Sequence, residues 1–325
     1  MSGENVIQGK GDWLFLDEGS NFSISQITGR MVIQPTELNR WARILKFRND
    51  QFGDRYRTVV CPEKACVYPS FLPERYKVQA NRTVAKIRNS STGLIYPCEE
   101  LKQSVDHLKV YPKTDTHFSE VGSAIAAQII IRDFGMKPNP IFEQLEFIER
   151  EVTGDLGLKF DKPKLNINYF CSNFPDVSVL DNGLRNRGRI SRYTNPSVTG
   201  TSLLLYGDSF SGINLAKMLS LQFQTVYFVH SGSIDYSLIS RLNPDYIVCE
   251  YAERFMSTAP VEATPISSVI IEKKVMNTYD DTMIESFLSR ADQFSVFFYA
   301  DELKAVSRFI RSEKSVTTAP NAVFS

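Results

Sequence analysis

Ser209 stands in Tyr206-Gly207-Asp208-Ser209-Phe210, directly behind the apolar run Ser202 to Tyr206. A serine in a tight strand-to-helix turn lies at the carboxyl end of a parallel strand, where open α/β sheets collect their ligands. Gly207 permits the sharp turn, and the N–H of Ser209, near a helix start, can face a developing oxyanion. The competing reading is an ordinary junction with Asp208 or Ser209 as helix N-cap. A serine hydroxyl becomes a useful nucleophile only beside a base, and the chain offers three histidines: His107, His117 and His230. His107, in Asp106-His107-Leu108, reads as a surface residue. His230 ends the next apolar run after the serine and can line the same cleft, with no acid beside it in sequence. His117 lies in Lys113-Thr114-Asp115-Thr116-His117-Phe118, just before a helix. Asp115, two residues away, can orient the imidazole and stabilise its charged form on a bent loop. Asp115 and Thr116 alone would read as turn residues. Together with the Ser209 turn, the combination favours nucleophilic catalysis by Ser209, His117 and Asp115.

The elements that must position these residues follow from the apolar pattern. Strands are expected at Tyr56 to Cys61, Ser202 to Tyr206, Thr225 to Val229 and Tyr246 to Tyr251, with shorter candidates at Leu94 to Tyr96 and Lys109 to Tyr111. Glu37 to Phe52 reads as a helix, with Trp41, Ile44, Leu45 and Phe52 at helical spacing. Ser119 can cap a helix running to about Phe134. Helices are also expected over Gly212 to Gln222 and around Tyr236 to Arg241. The alternation from Ser202 to Tyr251 implies a parallel sheet with helices on both faces, an α/β/α sandwich. The stretch 146–199, rich in Asn, Pro, Gly and Arg, reads as an irregular or β-rich insertion. We expect a catalytic domain over 1–258 and a C-terminal extension over 259–325. In that extension helices are expected at Asp280 to Phe294 and Asp301 to Ser312, a strand at Ser295 to Tyr299, and a frayed tail from Ala319.

Composition narrows the function classes. Lys plus Arg and Asp plus Glu both number 37, and this balance argues against a nucleic-acid partner. No apolar run approaches the roughly 20 residues of a transmembrane helix. Met1 to Lys10 lacks the apolar core of a signal peptide. A cytoplasmic location is expected for the chain as it stands, with the periplasm or cell envelope as the alternative if an export segment was removed. The five cysteines, Cys61, Cys66, Cys98, Cys171 and Cys249, show neither a disulfide framework nor paired zinc-site spacing. They read as reduced thiols. No cofactor and no metal are expected.

The Gly-Asp-Ser-Phe turn after a strand is similar to the nucleophile block of SGNH (GDSL-like) hydrolases. Here Asp115 and His117 precede Ser209, spaced as Asp-x-His, and this order resembles the alginate O-acetyltransferase family of the AlgX and AlgJ type. Gly9-Lys10-Gly11-Asp12-Trp13-Leu14-Phe15 resembles the family's amino-terminal element. Pro62-Glu63-Lys64 through Tyr68-Pro69 resembles its PxK…YP turn, and Thr114 to Phe118 its TDTHW, with Phe118 in place of Trp. Gly154-Asp155-Leu156 and Glu253-Arg254 also have counterparts, so the resemblance spans roughly residues 6–257. It implies an SGNH-like α/β/α fold and transfer of an acetyl group to polysaccharide hydroxyls through a serine acyl-enzyme. Ser209 would attack the acyl donor, His117 would take its proton and then activate the acceptor hydroxyl, and Asp115 would orient His117.

Gly207, Asp208, Lys64, Tyr68, Glu253 and Arg254 are candidate substrate contacts. The plainer readings are turn residues for Lys64 and Tyr68 and a surface ion pair for Glu253 and Arg254. Arg185, Arg187, Arg189 and Arg192 read as a solvated face that can also bind an anionic sugar chain or a donor phosphate. The expected partners are a glycan acceptor and an acetyl donor, with other proteins of a polysaccharide-synthesis system. A carbohydrate acetylesterase using the same triad, and a non-catalytic binding module of polysaccharide synthesis, are the alternatives.

Overall fold

A computed structural model of the chain describes residues 5–18, 21–90, 93–262 and 289. Eleven strands are found among them: β1 (Val6–Gln8), β2 (Leu14–Leu16), β3 (Tyr56–Cys61), β4 (Leu94–Ile95), β5 (Phe147–Thr153), β6 (Leu165–Cys171), β7 (Ser178–Asp181), β8 (Ile190–Thr194), β9 (Ser202–Gly207), β10 (Thr225–His230) and β11 (Tyr246–Ala252). Seven of them form one sheet in the order β4-β3-β11-β9-β10-β8-β7. The five from β4 to β10 are parallel. β8 and β7 extend that edge antiparallel.

The central strands are mostly apolar on both faces because both faces are covered, as parallel sheets require. On β9, Leu203 and Leu205 enter one core while Leu204 and Tyr206 enter the other. The first core takes in Ala126, Ala127, Ile130 and Ile131 from the helix Glu120–Asp133, with Leu215 to Leu219 from the segment after Ser209. The second takes Trp41 and Leu45 from Pro35–Phe52, Val84 and Ile87 from Thr83–Ser90, and Leu238 and Ile239 from Tyr236–Leu242. Each fully buried Leu or Ile side chain contributes about 1.5–3 kcal/mol. This is the expected α/β/α architecture.

Two local expectations need correction. Lys109 to Tyr111 is no strand: His107–Lys109 forms a 3-10 turn, and Val110 and Tyr111 enter a buried loop. The helix expected from Gly212 begins at Ser209 and contains a π-helical stretch, Ser211–Leu215. The insertion is β-rich, one of the two readings expected. Its second half supplies β8, which pairs with the open edge of β10, and β7, which pairs with β8, while β5 and β6 form a separate antiparallel ribbon. The elements expected between 280 and 325, and the extension as a unit, lie outside the described residues. All five cysteines are free thiols. Among the described residues no helix is long and apolar enough to cross a membrane.

Candidate active site

β9 ends at Gly207, and the chain turns at Asp208 into the helix that Ser209 opens. The turn is cramped. A Cβ on Gly207 would stand 2.4 Å from Ser211 Oγ and 2.7 Å from Glu250 Oε2, so only glycine fits. Asp208 Oδ1 accepts from Phe210 N at 2.8 Å, and Oδ2 accepts from Ala252 N at 2.8 Å. Asp208 thereby ties the serine turn to the end of β11. Beneath it, Glu250 Oε2 accepts from Asp208 N at 3.1 Å and from Ser211 Oγ at 2.8 Å. Burial, and then the charge of Asp208, push the Glu250 carboxyl well above the ordinary carboxylate range. As the first residue of the helix, Ser209 has an N–H that the helix geometry leaves without an intrahelical acceptor.

Across the cleft, Ser209 Oγ lies 2.7 Å from His117 Nε2. His117 Nδ1 lies 2.8 Å from Asp115 Oδ1, which also accepts from His117 N at 2.8 Å. Burial pushes the Asp115 carboxyl up. The hydrogen bond and charge of the His117 ring, with the N–H groups of His117 and Asp155, outweigh burial and hold it below its ordinary value. The arrangement can carry a proton from the serine hydroxyl to the imidazole while an ionised carboxylate faces the far nitrogen. Phe210 packs 5.2 Å from the His117 ring. Phe118 packs against Tyr111 in a tilted pair at 4.8 Å and meets Phe210 edge-on at 5.1 Å, so it fills an aromatic wall behind the histidine.

The loop that carries Asp115 and His117 has little regular structure of its own and is held from three sides. From the amino-terminal hairpin, Leu14 N donates to Lys113 O at 2.9 Å. From the turn after β3, Lys64 Nζ donates to the carbonyls of Pro112, Lys113 and Asp115 at 3.2, 2.8 and 2.7 Å. From the insertion, Gly154 N reaches Thr114 Oγ1 at 3.3 Å, Leu156 N and Gly157 N reach Thr114 O at 3.0 and 3.1 Å, and Asp155 N reaches Asp115 Oδ2 at 3.2 Å. In return Asp155 Oδ1 accepts from Thr116 N at 2.7 Å, and Oδ2 accepts from the Thr116 hydroxyl at 2.5 Å.

Four of the expected substrate contacts face inward instead. Lys64 is 3% exposed, with its amine on three carbonyls and over the rings of Trp13 and Phe15. Burial pushes its amine down to about 7, against the charges of Asp115, Asp155 and Glu63. The Tyr68 hydroxyl donates to His107 O and accepts from Tyr111 N at 3.3 Å, and its ring packs on Trp13. Glu253 and Arg254 are buried and do not pair with each other. Glu253 binds Arg82 at 2.6 Å, Tyr96 at 2.7 Å and the N–H of Glu63 at 3.1 Å. Arg254 binds Glu63 at 2.9 Å with its guanidinium over Phe210. These are buttresses of the loops around the cleft, because a buried charge needs its partner close at hand.

Ser209 opens onto a cleft of about 390 Å³ also lined by Asp181, Arg185, Asn186, Arg189 and His230. His230 shares this cleft as expected, but His117 is the histidine at hydrogen-bond distance from the serine. Arg185 is exposed where it lines this cleft, Arg187 is exposed beside a neighbouring cleft, and Arg189 is held by Asp181 at 2.6 Å and by Gly212 O at 3.2 Å. His107 is exposed. Sequence reasoning assigned no role to Asp155 or Glu250. The Gly-Asp-Leu motif signals the first, and the second carries no local signal within its apolar strand. Asp115, His117 and Asp155 offer ligand atoms within 4.8 Å of one another, a spacing a cation would accept. Two of those ligands are already committed, His117 Nδ1 to Asp115 and Asp155 Oδ2 to the Thr116 hydroxyl.

Residues 6–159 match the family model described as the SGNH hydrolase-like domain of the acetyltransferase AlgX. The resemblance read from the motifs is therefore borne out over that span. No curated protein sequence matches the chain significantly. Among solved structures, Bacillus cereus PatB1 is similar over 78% of this chain and 97% of its own, at 15% identity and a TM-score of 0.57. A DHHW family protein from Eubacterium siraeum is similar over 78% and 95%, at 12% identity and a TM-score of 0.54. The O-acetyltransferase domain of Pseudomonas putida AlgJ is similar over 88% and 99%, at 17% identity and a TM-score of 0.47. The first two likenesses show that this chain has the same fold.

Proposed function

We propose that this chain is a serine-dependent O-acyltransferase, most simply an O-acetyltransferase, that modifies the hydroxyls of a glycan. The observation that carries the reading is the continuous Ser209–His117–Asp115 relay, with contacts of 2.7 and 2.8 Å. The family model matched by residues 6–159, described as that of an acetyltransferase, supports the acyl group and the transfer.

The geometry performs the reaction in two halves. In the first, Ser209 Oγ attacks the acetyl carbonyl of the donor while its proton passes to His117 Nε2. The tetrahedral intermediate places its negative charge on the former carbonyl oxygen, near the Ser209 N–H at the helix start. His117 then returns the proton to the leaving oxygen, and the acetyl group remains on Ser209. In the second half a glycan hydroxyl attacks the acetyl-enzyme, its proton goes to Nε2, and collapse frees Ser209 Oγ, which takes that proton back. Asp115 holds the Nδ1–H tautomer and faces the imidazolium that forms in each half.

Acceptor choice separates this reading from a carbohydrate acetylesterase, in which water replaces the glycan hydroxyl. The test is turnover of a chromogenic acetyl ester with and without soluble oligosaccharides, followed by mass analysis of the sugars. Acetylated oligosaccharide formed at the expense of free acetate is expected. Acetate alone, at a rate indifferent to every acceptor, would make the chain an esterase.

A further inference from the structure

The carboxylate that the proposed mechanism does not use is Asp155. It sits on the turn directly after β5, where the insertion begins to fold back. Its Oδ2 lies 3.9 Å from His117 Nδ1, the nitrogen that Asp115 already engages. Its Oδ1 and Oδ2 hold the N–H and hydroxyl of Thr116, and its own N–H holds Asp115 Oδ2. The Thr116 hydroxyl in turn lies 3.4 Å from His117 Nδ1. The two acids are thus mutually braced, and both face one edge of the imidazole. Gly154 makes this possible, because a Cβ there would stand 2.3 Å from Thr114 O and 2.7 Å from the Asp115 Cβ.

We infer that Asp155 is a positioning residue for the proposed reaction: with Asp115 it forms a two-carboxylate cradle that fixes the His117 ring and stabilises the charge the ring takes up during acyl transfer. The inference rests on the function proposed above. An imidazolium flanked by two anions on its Nδ1 edge is favoured over one flanked by a single anion. Asp155 has a side chain 40% exposed, so solvent screens part of its effect. Other charged or titratable groups near the ring are Asp115 on its own loop, Lys64 behind that loop, Arg254 over Phe210, Asp208 beside Ser209, and Arg185, Arg189 and His230 in the cleft that Ser209 lines. Lys64 is held on carbonyls, Arg254 on Glu63 and Arg189 on Asp181, whereas Asp115 and Asp155 lie against the ring edge itself. The insertion therefore completes the base and does more than decorate the sheet edge.

The experiment measures kcat and KM against pH with a chromogenic acetyl ester for the wild type, Asp155→Asn, Asp155→Ser, Asp155→Glu and Ser209→Ala. Asparagine keeps the acceptor for Thr116 N and removes the charge. The expected result is a kcat lowered about 3–10-fold, a KM within about twofold, and an acid limb of kcat/KM moved to lower pH by about 0.5–1 unit. Asp155→Ser, a second neutral replacement, moves the limb the same way. Asp155→Glu keeps the limb at its wild-type position even where its longer arm lowers the plateau. A limb unmoved in both neutral variants, or moved equally in Asp155→Glu, overturns the inference. Ser209→Ala separates the two proposals. If it turns over like the wild type, the proposed function itself fails. If it is inactive while Asp155→Asn matches the wild type in limb and plateau, only the role of Asp155 fails.

Discussion

The amine of Lys64 lies 2.7 Å from the carbonyl oxygen of Asp115, so the residue that faces His117 is held from behind by a buried lysine. Two further carbonyls, of Pro112 and Lys113, complete the anchor. This anchor has a pH signature. Burial pushes the Lys64 amine down to about 7 in the fold, well below its ordinary 10.5. Between those values the unfolded chain binds more protons than the folded one, so stability rises with pH across that window. The contribution is fully present above 10.5 and is lost as pH falls through about 7. Melting temperatures of the wild type and Lys64→Met, measured from pH 6 to about 10, should diverge with this slope, the variant being the flatter. Parallel curves would contradict the assignment.

Asp115→Asn should leave the circular dichroism spectrum intact and lower kcat by about 10²–10⁴-fold, because an amide can hold the wrong tautomer of His117. Ser209→Ala and His117→Ala should each be as severe. The double variant should be little worse than either single one, since the members of a relay act as a unit. Additive losses would mean that the two side chains serve separate steps.

Gly154→Ala tests the clasp between the insertion and the base loop. The new methyl would meet Thr114 O and the Asp115 Cβ at distances that backbone cannot absorb without shifting. Overpacking of this kind costs about 1–3 kcal/mol. The shift would also displace Asp115, so kcat should fall by more than KM rises. A variant of normal activity but lowered stability would show that the clasp supports the fold without setting the site.

The central sheet was legible because β3, β9, β10 and β11 are short, predominantly apolar runs bounded by turn residues. The antiparallel edge was not. β7 and β8 alternate weakly, with Val179 exposed and Ser191 buried, so their partner β10 could not be read from them. The candidate cluster was legible in the motifs around Asp115, His117 and Ser209, which the fold brings to hydrogen-bond distance. The burial of the flanking motifs was not legible, for a physical reason. Lys64, Glu253 and Arg254 are charged types that ordinarily face solvent, and sequence does not reveal that buried carbonyls await the first and opposite charges the other two. Asp155 went unassigned because its partners, Asp115 and Thr116, lie 40 and 39 residues away in the chain.

Chelation separates the relay from a metal centre built on the same three side chains. If Asp115, His117 and Asp155 act through hydrogen bonds, excess EDTA leaves ester turnover unchanged, and added zinc does not raise it. Activity lost to EDTA and restored by a divalent cation would reassign the cluster as a metal site.

The most direct measurement is intact mass spectrometry of the full chain after brief exposure to an activated acetyl ester, with peptide mapping of any adduct. The account predicts one added acetyl group on Ser209, no adduct in Ser209→Ala, and loss of the adduct when a glycan acceptor or water completes the cycle. Wild-type turnover by Ser209→Ala, or an acetyl group mapped to a residue other than Ser209 in both proteins, would contradict it.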